Sequence, residues 1–167
     1  MRTRLLLMIA VLLPAMAFAE PDFSGAWVRD GAKSDVVPNT MYWLTRGVDA
    51  GGGRGRSSLT VVDVQQSDGR MRITEPNRPL RMLLLDGKAH AVPTDTGIQK
   101  ASVVATLRGD TLTVETTQPF GGMPGNATLK ITEIWSLSPD GTVLTITTER
   151  DTPARRQSFS ERYDRRR

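Results

Sequence analysis

Asp-Gly and Gly-Asp pairs recur along this chain between short alternating apolar runs, and they restrict its fold more than any other feature. The clearest case is residues 127–150, ATLKITEIWSLSPDGTVLTITTER. Ser138-Pro139-Asp140-Gly141 suits a type I turn, with Pro at its second position and Gly at its fourth. Side chains alternate along a strand, so Leu129, Ile131, Glu133, Trp135 and Leu137 share one side of the first run. A tight two-residue connection then sets Leu144, Ile146 and Thr148 on the same side of the second. The apolar faces agree across the turn, as a hairpin requires.

The same unit recurs. Asp68-Gly69 joins residues 59–66 to 70–75 and pairs Val64 with Ile73 and Gln66 with Met71. Asp86-Gly87 joins residues 80–85 to 88–92. It aligns Leu80, Met82 and Leu84 with Ala89 and Ala91, and Leu83 with His90. Gly109-Asp110 joins residues 98–107 to 111–117, with Leu107 over Leu112 and Ala105 over Val114. A first strand at residues 23–29 carries Phe23, Gly25, Trp27 and Arg29 on one side. A last strand at residues 157–163 carries Phe159 and Tyr163. No helical period separates these runs, which argues against parallel units. The fold class is all-β: an antiparallel meander of about 8–10 strands closed into a small barrel, since closure removes exposed edges. A β-sandwich shares this turn spacing.

Arg2 and Arg4, the apolar run at 5–13 and Ala17-Phe18-Ala19 compose a signal peptide, residues 1–19. The apolar run is too short to span a bilayer. No transmembrane segment is therefore expected in the mature chain, which is placed in the periplasm or secreted. Residues 20–163 form one domain, with a flexible glycine-rich loop at 47–57 and a basic tail at 164–167. Residues 51–55 of that loop lack the Lys-Ser/Thr pair and following helix of a phosphate-binding loop. Residues 41–44, Met-Tyr-Trp-Leu, form an apolar island, and Phe120 and Met123 lie in a Pro/Gly-rich connection. The chain has 22 basic and 18 acidic residues. Without Arg2 and Arg4 the excess is too small to argue for nucleic acid. The absence of cysteine removes disulfides and thiol chemistry.

The segments FSGAWVRDGAKSD and EIWSLSPDGTVLTIT resemble those of exported bacterial proteins with lipocalin-like β-barrels. Members open with a Gly-Thr-Trp-like segment and a Lys-Ser pair, and close with a Trp-x-Leu-x-x-Asp-Gly hairpin. Gly25, Trp27, Lys33, Ser34, Trp135, Leu137, Asp140 and Gly141 stand at those positions here. Ala26 replaces the usual Thr, and the glycine-bearing insertion after Ser34 is long. The resemblance implies a lipocalin-like barrel and a role with an apolar ligand.

Chemistry-bearing residues are sparse. His90 is the sole histidine and has no sequence-near carboxylate at metal-ligand spacing, so a metal site is not expected. No nucleophile elbow or zinc-protease motif is present, and neither a catalytic residue nor a cofactor is assigned. Glu133 shares the buried side of Trp135, so it needs a partner. Arg150, on the matching side of the next strand, is the expected one. Trp27, Met82, Ala91, Glu133, Trp135 and Arg150 are the candidate ligand-binding residues. Leu84, Ala89, Ala105, Val114 and Ile146 complete the expected interior wall. These features fit an exported binding protein for a small, largely apolar ligand. The alternative is a non-enzymatic structural or interaction module with a filled barrel and an envelope protein partner.

Overall fold

A computed structural model describes residues 20–35, 61–75, 80–93, 100–119 and 128–167. The expectations for residues 1–19, 41–44, 47–57, Phe120 and Met123 lie outside the described residues. Ten strands are present among them: β1 (Gly25–Arg29), β2 (Val61–Ser67), β3 (Arg70–Thr74), β4 (Arg81–Leu84) and β5 (Ala89–Pro93), then β6 (Lys100–Arg108), β7 (Thr111–Pro119), β8 (Thr128–Leu137), β9 (Val143–Asp151) and β10 (Arg156–Arg165). They form one antiparallel sheet in the order β4-β3-β2-β1-β10-β9-β8-β7-β6-β5. The first and last strands meet, with Trp27 opposite Arg165 and Arg29 opposite Tyr163. The meander thereby curls into a small, nearly sealed barrel.

Turn chemistry sets the registers. Asp68 and Gly69 both have positive φ, the geometry of a type I′ turn, and Val64 meets Ile73 as expected. Leu107 meets Leu112 and Ala105 meets Val114. In the β8–β9 hairpin the connection is longer than the expected two residues. Ser138 N donates to Val143 O at 2.8 Å, closing a loop that spans Pro139 to Thr142. Two extra residues preserve side-chain parity, so Trp135 still meets Ile146 and Leu137 meets Leu144.

The expected β4–β5 hairpin does not form a ladder. These strands are the two edges of the sheet. Their connection is tied elsewhere: Leu85 N donates to Gly69 O at 2.7 Å, and Gly87 N to Ala105 O at 3.0 Å. The last strand is also longer than its apolar pattern indicated. It runs through Arg165, which the sequence assigns to a basic tail. Cross-strand pairing with β1 extends it, and the Arg165 guanidinium lies 4.5 Å from the centre of the Trp27 ring.

The short turns gather at one end of the barrel, where the largest side chains pack. Phe23, Trp27, Val64, Met71, Leu83, Leu112, Trp135, Leu144 and Tyr163 are buried in one cluster. Phe23 meets Trp135 edge to face, with ring centres 6.3 Å apart and planes at 83°. Trp27 Nε1 donates to Phe23 O at 3.0 Å, so its one polar atom is satisfied inside the cluster. Ser34, of the Lys-Ser pair, ties the segment after β1 to β10: Arg162 N donates to its Oγ at 2.9 Å.

Candidate functional site

Towards the other end the inward face changes from apolar to charged. On β8 the alternation buries Leu129, Ile131, Glu133 and Trp135, and on β9 Leu144, Ile146, Thr148 and Arg150. Glu133 is 2% exposed. Two Arg81 nitrogens reach its carboxylate, Nη1 to Oε1 at 3.3 Å and Nη2 to Oε2 at 3.0 Å. Trp135 Nε1 donates to Oε2 at 3.3 Å. This forked contact joins β4 to β8, strands that are not sheet neighbours, and so fixes the separation of the barrel's walls. A second buried pair joins β1 to β10: Arg29 Nε donates to Glu161 Oε1 at 2.9 Å, with Glu161 1% exposed. Glu75 and Thr148 are buried as well.

Glu133 and Arg150 thus both face inward on adjacent strands, as expected, but the ion pair forms differently. Among the described residues Arg81 takes the Glu133 carboxylate. Arg150 stands directly opposite Ile131, one residue row beyond Glu133. Its Nε is buried without a hydrogen-bond partner among the described residues. Burial, and then the like charge of Arg155, lowers the guanidinium pKa from its ordinary value.

Trp27 and Trp135 stand inside, where the sequence places them, as do Ala105, Val114 and Ile146. Met82 and Ala91 do not, and neither do Leu84 and Ala89: all four are exposed. The sequence groups them correctly on one face but assigns that face to the interior. Leu83 is instead buried at 4% exposure, whereas Met82 is 49% exposed. The run RPLRMLLLD offers apolar residues to both faces, and the inside was taken by the face that carries Arg81 to Glu133.

Arg81 is the site residue that sequence reasoning missed. Its signal was an arginine alternating with Leu83 in a strand, set against a buried glutamate lacking a partner. Glu161 was also legible, spaced by two from Phe159 and Tyr163. His90 has a nearby carboxylate that its spacing had not brought to notice. Its Nε2 lies 2.9 and 3.0 Å from the two Asp86 oxygens. That contact, followed by the Lys88 N–H, lowers the Asp86 pKa. Among the described residues no group of three or more His, Cys, Asp or Glu could hold a metal ion. No helix among them is long and apolar enough to cross a membrane. A cleft of about 240 Å³ is lined by Thr142, Asp164, Arg165 and Arg167 and includes neither Glu133 nor Arg150.

No protein-family model matches the sequence, and no characterised protein matches it by sequence. Solved structures do share its architecture. An abundant heat soluble (SAHS) protein from Ramazzottius varieornatus aligns with a TM-score of 0.58 at 12% identity, covering 89% of this chain and 98% of its own. Zebrafish ileal bile acid-binding protein, complexed with cholic acid, gives 0.54 at 15% identity, with 86% and 98% covered. Echinococcus granulosus fatty-acid-binding protein 1 gives 0.53 at 16% identity, with 86% and 96% covered. The chain has a lipocalin-like closed β-barrel fold.

Proposed function

We propose that the protein binds a small, largely apolar molecule within its barrel and acts after export, in the periplasm or outside the cell. The observation that carries this reading is the interior's division into two zones. One end is packed with aromatic and aliphatic side chains. Beyond it stand buried charges spaced among Ile131, Leu129 and Phe159. A barrel filled only for stability gains little from buried charges, because desolvation offsets much of their attraction. A small-molecule site, in contrast, combines apolar walls with a few placed polar groups. Two of the structurally similar proteins are named for bile acid and fatty acid binding, which supports the reading at the level of fold. The export step rests on Arg2, Arg4, the apolar run and Ala17-Phe18-Ala19.

An apolar fluorescent probe titrated into the folded protein tests the reading. Saturable binding at one site with a change in tryptophan emission is expected, because Trp135 contacts the charged zone. No saturable binding across a panel of probes would reject it. One observation favours the interaction module instead. Leu80, just before β4, and Met82 and Leu84 on it are exposed, and β4 is an edge of the sheet among the described residues. Native mass spectrometry of protein from its own envelope separates the two, since a retained small molecule and a retained protein differ in mass.

A further inference from the structure

Besides Arg165, which stacks on Trp27, three arginines among the described residues face inward from the strands: Arg29, Arg81 and Arg150. Two close on carboxylates, Arg29 on Glu161 and Arg81 on Glu133. Arg150 is the most deeply buried of the three, at 5% exposure, and no carboxylate among the described residues reaches it. Its neighbours Glu149 and Asp151 are on the opposite, outward face of β9. Asp151 lies 3.6 Å from Arg156 outside the barrel. The nearest inward acid on the adjacent strand, Glu133, is held by Arg81 and Trp135. Burial, and then the like charge of Arg155, disfavours the charged form of Arg150.

A guanidinium stays charged at neutral pH, and burying it without a counter-charge is among the costliest placements a fold can make. Its surroundings also suit an anion. Gln157 stands opposite on β10 and Ile131 on β8, and Thr116 follows Ile131 on β7. The row therefore offers amide and hydroxyl donors on either side of the guanidinium and one apolar wall. Phe159, buried two residues along β10 from Gln157, extends the apolar surface.

We infer that Arg150 is the anion-binding group of the barrel interior, and that the ligand is an amphiphile ending in a small oxyanion. The inference deepens the carrier reading and rests on it. The guanidinium fork takes two oxygens of the headgroup, and Nε or an Nη supplies each hydrogen bond. The apolar body lies against Ile131 and Phe159. Neutralising Arg150 in this way offsets the cost of burying its charge.

The test uses the full chain and dansyl-undecanoate, its methyl ester, and dansyl-alkyl sulfonate and phosphate probes of similar length. The wild-type protein is expected to bind the carboxylate about tenfold or more tightly than the ester, the gain of a charge-assisted hydrogen bond. The sulfonate and phosphate probes rank which oxyanion the fork prefers. Arg150→Met, which keeps the aliphatic stem, is expected to bind acid and ester alike, near the wild-type affinity for the ester. Arg150→Lys should retain part of the preference. Without ligand, Arg150→Met should melt at or above the wild-type temperature, because an uncompensated charge is gone. Equal affinity of the wild type for acid and ester would overturn the inference and leave the carrier reading standing. Failure of every probe would overturn both. A large fall in melting temperature for Arg150→Met, comparable with that of Glu133→Leu, would assign Arg150 to the framework and overturn the inference too.

Discussion

In the β8–β9 hairpin, Leu129, Ile131, Trp135, Leu144 and Ile146 face inward while Lys130, Ile134 and Glu149 face out. Along β4 the charged Arg81 points inward beside Leu83, while Met82 and Leu84 face solvent. Both segments alternate with the same period, and both were expected to turn their larger apolar set inside. They differ in what holds them. β8 and β9 pair with each other and with strands on both sides, so each side chain's direction is set by two ladders. Among the described residues β4 has one ladder, with β3. A strand held on one side takes its orientation from what its side chains meet across the barrel. For β4, that is Glu133.

The largest effect is expected at the contact that joins the two segments. Glu133→Leu leaves the Arg81 guanidinium and the Trp135 N–H without their shared acceptor. It is expected to lower stability by about 3–5 kcal/mol in urea unfolding. The double change Arg81→Met with Glu133→Leu should recover much of that loss, since neither charge remains. Additive losses would mean that the pair does not set the orientation of β4.

The next effect separates the two faces of β4 directly. Leu83→Ala is expected to cost about 3 kcal/mol through lost burial and a cavity. Met82→Ala, one residue away, should stay within about 0.5 kcal/mol of wild type. Equal costs in the same unfolding experiment would place both side chains against the core. A smaller effect follows at the hairpin's inner face. Trp135→Phe removes one hydrogen bond to Glu133 and part of the Phe23 contact, for a loss of about 1–2 kcal/mol. Near-identical melting would detach Trp135 from the charged zone.

The smallest effect belongs to the exposed β8–β9 turn. Hydrogen bonds from Ser138 and then Thr142 hold the Asp140 pKa down to about 2. Its folded pKa is depressed, so its contribution is complete above the unfolded value near 4 and is lost as pH falls towards about 2. Asp140→Asn should therefore flatten the acid limb of stability against pH in that window and change little at neutral pH. An unchanged acid limb would remove the turn from the balance between the two segments.

Much of the architecture was legible in the residues themselves. Asp68-Gly69 and Gly109-Asp110 specify two-residue turns because Asp68, Gly69 and Gly109 take positive φ, and those turns fix the register of the pairs behind them. Parity then carries through even where the loop length is misjudged, as between Ser138 and Val143. Glu133 was recognisable as a buried acid because it keeps step with Trp135 and Leu137. Its partner was not recognisable, because Arg81 is 52 residues away in the chain and on a strand that never pairs with β8.

Period-two alternation in the sequence determined which residues share a face, and the turn residues determined which faces meet. Both are local consequences of backbone geometry, carried by neighbours in the chain. The tertiary structure alone decided which face of β4 is inside. It gave Arg81 to Glu133, left Met82 and Ala91 in solvent, and set Arg150 in the interior with no carboxylate among the described residues. The physical reason is that closing a barrel brings non-adjacent strands within reach of each other. Burying a charge without a partner then costs more than exposing a methionine, so the ion pair chose the inward face.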